Sequence, residues 1–134
     1  DLRKTNLQSA DLSDLILSGA KLQEARMEGA NLFRVRMEGA NLRNARLEGA
    51  NLRATSLVGA ALSDMDCSGV RVSPDQIKSA FGDASVILPK GVTPQSRDWP
   101  AHWPKHELRH FRFDTEWRKW QAWPDTYTPP DPPK

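Results

Sequence analysis

Every fifth residue from Leu2 to Val72 is apolar: Leu2, Leu7, Leu12, Leu17, Leu22, Met27 and so on to Leu62, Cys67 and Val72, fifteen positions without exception. The residue two places before each is small. Of the fourteen from Thr5 to Val70, eight are Ala and two are Thr, and the others are Leu15, Val35, Met65 and Val70. A period of five fits neither of the common elements. On an α-helix each step of five would turn the leucine by about 140° and smear it around the surface. In extended backbone, residues two apart point the same way. The Ala and the Leu two places later then face one axis, and the residue between them faces out. The remaining two residues of each pentad must turn the chain, and four such turns close a square every 20 residues.

Glycine and proline usage agree with this geometry. Gly19, Gly29, Gly39, Gly49, Gly59 and Gly69 all stand two places after a central residue, where a corner asks for permissive backbone angles. No proline precedes Pro74, as a hydrogen-bonded stack requires. Each buried Leu contributes about 1.5–3 kcal/mol, and stacked neighbours pool these gains.

The units Ala30-Asn31-Leu32, Ala40-Asn41-Leu42 and Ala50-Asn51-Leu52 resemble the A-(D/N)-L-x-x signature of the pentapeptide-repeat family. The resemblance implies an all-β fold, a right-handed quadrilateral β-helix, over residues 1–73. Leu15 and Met65 at the small site and Ile16 facing outward depart from the pattern. Residues 74–98 read as a capping helix and connector, and 99–134 as an aromatic tail with one short helix and a Pro-rich end.

Ser73-Pro74-Asp75-Gln76 has the form of a helix start: Ser as N-cap, Pro in the first turn, Gln at the third position. Ile77, Ala80 and Phe81 are expected on the apolar side of that helix, with Gly82 as its stop. It would cover the open end of the last coil. Ala84–Leu88 should then run extended. The segment from Phe81 to Trp103 is similar to the tail that follows the repeats in one bacterial subgroup, some of whose members carry a membrane-spanning region ahead of them.

Eight of the ten aromatic residues fall in 99–134. A helix is expected from about Thr115 to Trp123, capped by Asp114 and stopped by Pro124. Phe113, Trp117 and Trp120 share its apolar side, and Arg118 and Lys119 lie opposite. Docking on the β-helix is the expected use of this helix. A membrane interface or a protein partner are the competing uses of a Trp- and Arg-rich surface. Thr128–Pro133 reads as a polyproline tail.

Stacking at 20 residues places Arg26 over Arg46, beside Glu28 and Glu48, and Phe33 one coil below Arg53. A cation–π contact between Phe33 and Arg53, or coverage of Phe33 by the tail, is expected. The candidate interaction surface is therefore Phe33, Arg53, Arg26, Arg46, Trp117, Trp120 and Arg118.

Charge bears on the partner. Residues 1–75 hold ten Lys/Arg and ten Asp/Glu, and the whole chain carries +2. Some members of the resembled family mimic duplex DNA and bind DNA gyrase. That mimicry needs a strongly acidic surface, because DNA carries a charge about every 1.7 Å. Nucleic acid is not an expected partner either. His102, His106 and His110 are four apart, but Pro104 interrupts them and no metal site is expected. Cys67 sits at a core position, as an inert thiol. With one cysteine and no apolar run long enough to span a bilayer, a cytoplasmic setting fits. The chain opens on Asp1-Leu2 already in phase, so the sequence reads as a piece of a longer protein, whose upstream region could attach it to a membrane. No cofactor is expected. The functional expectation is a non-catalytic scaffold or protein-interaction module, its partner another protein or the upstream region of its own chain. The alternative is a DNA-mimic inhibitor or protector of gyrase.

Overall fold

The computed structural model describes all 134 residues. The chain coils back on itself every 20 residues through isolated parallel bridges. These fall into four columns, which define four walls. The first carries Asn6, Arg26 and Arg46; the second Asp11, Asn31, Asn51 and Arg71; the third Ile16, Arg36 and Ser56; the fourth Lys21, Asn41, Ala61 and Phe81. Each side contributes a single bridge residue, too short to count as a strand. The register is regular: Leu7 N–H donates to Arg26 C=O at 2.7 Å, and Arg26 N–H donates back to Thr5 C=O at 2.9 Å.

The corners explain the five-residue beat. Leu2 C=O accepts from Thr5 N–H and Leu42 C=O from Ala45 N–H, each closing a four-residue turn. The third residue of each turn is left-handed, as type II turns require. Gly19, Gly29, Gly39, Gly49 and Gly59 meet that demand without strain, with φ from 69° to 74°. Lys4, Ser9, Asp14, Glu24, Arg34, Asn44, Ala54 and Asp64 adopt it as well, at about 1–2 kcal/mol each. The stack therefore dictates the corner angle, and glycine only eases it. Gly69 lies outside the left-handed region.

From Leu22 to Leu62 the central residues and their small partners are buried in one continuous core. The residues of the first coil, Leu2, Leu7, Leu12 and Leu17, are only half-covered. Thr55 is accommodated at a small inward site because its hydroxyl donates to Leu32 C=O at 2.7 Å.

The winding continues past Ser73. Helix α1 (Pro74–Ser79) occupies the place of the third wall in the last coil, and Phe81 then bridges Ala61 while Ile87 bridges Asp66. The capping box is complete: Ser73 Oγ accepts from Gln76 N–H, and Gln76 Oε1 accepts from Ser73 N–H. In the ladder, Thr55 C=O would next receive the backbone N–H of residue 76, which the helix has turned away. Gln76 Nε2 takes over, donating to Thr55 C=O at 2.9 Å and Leu52 C=O at 2.8 Å.

Phe81 and Gly82 depart from expectation. The helix ends at Ser79 with Ala80 as its C-cap, so Phe81 lies beyond it and Gly82 is not its stop. Gly82 stands where the repeat would place a central leucine, and the Trp103 ring fills that space. A Cβ on Gly82 would lie 2.7 Å from the indole. Trp103 and Trp99 thus join the coil core and close it. Ala80 C=O, the open acceptor of the fourth wall, receives Trp103 Nε1 at 2.9 Å and His102 Nε2 at 2.7 Å.

Candidate functional site

The aromatic tail is bound to the fourth wall. Two departures from the repeat prepare that wall: Ala61 replaces the usual outward Asn, and Phe81 follows one coil on. Both are fully buried, under helix α2 (His110–Ala122). Phe81 packs edge-on to Phe113 at 5.3 Å and face-on to Trp120 at 5.6 Å. Trp120 in turn stacks on His102 at 5.0 Å. Trp117 Nε1 and Gln121 Nε2 donate to Gly59 C=O at the corner, at 2.9 and 3.0 Å.

At the opposite corner Arg43 locks the helix down. Its guanidinium donates to Ser63 Oγ at 3.0 Å and to Asp114 Oδ1 at 2.8 Å, contacts His110 Nδ1 at 3.1 Å, and lies over the Phe113 ring at 4.6 Å. All this leaves Arg43 only 9% exposed. The sequence reasoning missed Arg43, which looks like any outward corner arginine. The available signal was Ala61 and Phe81, two apolar outward residues on one column. Asp83 anchors the preceding segment: buried, it accepts from Ser85 N–H, Ser85 Oγ and Leu108 N–H.

Helix α2 is longer than the expected Thr115–Trp123 and begins five residues earlier. Asp114 is not its cap. It lies within the helix, and its carboxylate is held by Arg43. Arg109 occupies the N-cap without a side-chain bond.

The expected interaction residues separate into three groups. Trp120 is buried and Trp117 half-buried, both spent on the chain's own wall, whereas Arg118 on the outer side of α2 is exposed. Arg26 and Arg46 converge on Glu28, at 3.9 and 3.3 Å. Phe33 is half-buried, and the cation over its ring at 4.9 Å is Arg34 rather than Arg53, because the adjacent corner residue reaches the ring within one turn. Arg53 is exposed.

The interior offers no chemistry. The axis is filled by side chains, and Cys67 is buried within it. Desolvation, with Asp66 and Glu48 nearby, raises the Cys67 thiol pKa to about 11. His102 and His110 are committed to packing and to Arg43, and no group of three metal-ligating side chains comes together. A groove of about 350 Å³ lies outside the coil, between α1 and the connector, lined by Val72, Ile77, Leu88 and Val92. No helix is long and apolar enough to cross a membrane.

The repeat is also matched by a family model, described as pentapeptide repeats, in eight copies over residues 1–32 and 30–66. The chain belongs to the pentapeptide-repeat family. Proteins of this family are in general non-catalytic structural repeat proteins. Among solved structures the chain is similar to Rfr23, a pentapeptide repeat protein of the cyanobacterium Cyanothece 51142, at 35% identity over 63% of this chain and 44% of that one (TM-score 0.43). It is similar to a thylakoid-lumen pentapeptide repeat protein of Arabidopsis thaliana at 16% identity over 90% and 77% (TM-score 0.35). HetL of Nostoc sp. strain PCC 7120, involved in heterocyst differentiation regulation, is similar at 23% identity over 63% and 45% (TM-score 0.28). The chain thus spans less than half the length of Rfr23 and HetL. No curated protein sequence matches it significantly.

Proposed function

We propose that this pentapeptide-repeat protein is a non-catalytic interaction module, wound as a right-handed quadrilateral β-helix, that presents its outer walls to a protein partner. One observation carries the reading. The fourth wall is committed to α2 and the last coil is closed by Trp103 and Trp99, while the other three walls present outward side chains in columns at 20-residue spacing. Such columns are rigid, so a partner binds without ordering them, which lowers the entropic cost of association. Arg26, Arg46 and Glu28 on the first wall, and Asp11, Asn31 and Asn51 on the second, offer such arrays. Asn51 Nδ2 donates to Asn31 Oδ1, and Asn31 Nδ2 to Asp11 Oδ1, both at 3.2 Å.

The test is crosslinking in host-cell extract with the full chain, followed by identification of the attached proteins. Wild-type chain should capture a defined protein that R26E/R46E, with an unchanged melting curve, loses. Wall variants that all capture the same set as wild type would refute the reading. Inhibition of gyrase supercoiling would move it to the DNA-mimic alternative, which the balanced charge of residues 1–75 disfavours.

A further inference from the structure

We infer that the outer face of α2 is a docking surface for an anionic lipid bilayer, apart from the free walls and from any protein they engage. The helix sorts its charges by side. Both of its carboxylates turn inward or are tied up: Asp114 is held by Arg43, and Glu116, only 4% exposed, accepts from Tyr127 Oη and Lys119 Nζ at 3.0 Å each. Its cations all remain outside. Arg109 at the N-cap, Arg112, Arg118 and Lys119 are exposed, and Arg109 and Arg118 have no acidic partner. Glu107 and Asp125 are the acidic groups that flank this face, one beyond each end of the helix.

Two large aromatic side chains accompany these cations. Phe111 is 76% exposed and Trp123 is 72% exposed, the two most exposed large apolar residues of the chain. Phe113, Trp117 and Trp120, on the inner side of the helix, are by contrast wholly or partly buried. Twelve steps along the helix put about 18 Å of axial rise between the two residues. That spacing is too wide for stacking on neighbouring bases of a single strand, and two isolated rings do not make the compact central cluster of a protein hot spot. A bilayer interface takes both features at once: rings at headgroup depth and cations against anionic phosphates. The clamp on the fourth wall preforms the helix, so docking needs no folding step.

The experiment uses the full chain and vesicles of phosphatidylcholine, alone or with phosphatidylglycerol added, scored by co-sedimentation and tryptophan emission. Binding is expected only to the anionic vesicles, with a blue shift from Trp123 and weakening by salt. F111S/W123S should lower the partition at least tenfold and abolish the shift. R112Q/R118Q should lower it by about thirtyfold at low salt. All four side chains are exposed, so an unchanged melting curve verifies the fold of each variant. Failure to sediment with anionic vesicles at low salt would overturn the inference, as would equal binding to neutral vesicles or full binding by F111S/W123S. Polyglutamate stands in for an acidic protein, and its capture in a manner that requires both rings would assign the face to such a partner instead. None of these results bears on capture by the free walls.

Discussion

Arg43 on the third coil holds Asp114 of α2 at 2.8 Å across 71 residues of chain. The contact is lopsided. The Arg43 side chain is 11% exposed and that of Asp114 is 47% exposed. A salt bridge with one end in water owes little to Coulomb attraction alone. The weight lies on the arginine, which also meets Ser63, His110 and the Phe113 face.

Replacing Arg43 should therefore cost far more than replacing Asp114. R43A removes every contact of the corner clamp and opens a void beside Phe113, for a loss of about 2–4 kcal/mol. D114A leaves the guanidinium its Ser63 and Phe113 contacts, and should cost under about 1 kcal/mol. Chemical denaturation compares the two. Equal losses would mean that the ion pair, and not the packed guanidinium, secures the helix.

Gln76 sets a sharper contrast. By local rules Q76E is mild: Glu serves a capping box as well as Gln, and a negative charge suits a helix N-terminus. The structure predicts otherwise, because Nε2 faces two carbonyls, Leu52 and Thr55. Glu would set an oxygen against them. The expected loss is about 1–3 kcal/mol, greater than for Q76A, which forgoes the bond to Ser73 N–H and leaves Thr55 C=O unpaired but sets no oxygen against either carbonyl. Thermal melting of both variants at neutral pH decides the order.

How much of this could be read from residues alone varies along the chain. The coil is written in a strict local beat, so the inward columns, the corners and the capping box follow from spacing. The apolar side of α2 was legible too, since Phe113 and Trp120 are buried together. The helix start was not. Asp114 looks like a cap until Arg43, far away in sequence, claims its carboxylate, and no local pattern shows that. Gly82 reads as a helix stop for the same reason: only the folded chain brings Trp103 into the leucine's place. Ala61 and Phe81 did break the outward polar pattern, and those two residues were the trace of the hidden wall.

His102 makes the docked tail sensitive to acid. Burial lowers its pKa below the usual imidazole value, and the hydrogen bond to Ala80 C=O offsets this only in part. In the unfolded chain the ring returns to about 6.5. A group with a depressed folded pKa adds stability above its unfolded pKa and gives it up as pH falls through the folded one. The melting temperature should therefore decline as pH drops from 7 towards 5. This window lies above that of Asp11, Glu38 and Asp66, whose depressed carboxyl pKa values come from hydrogen bonds with Ser13, the Glu38 backbone and Ser68 and act only in stronger acid. H102Q retains an N–H for Ala80 but does not titrate, so its melting temperature should stay level between pH 7 and 5. An equal decline in H102Q would place the acid sensitivity elsewhere.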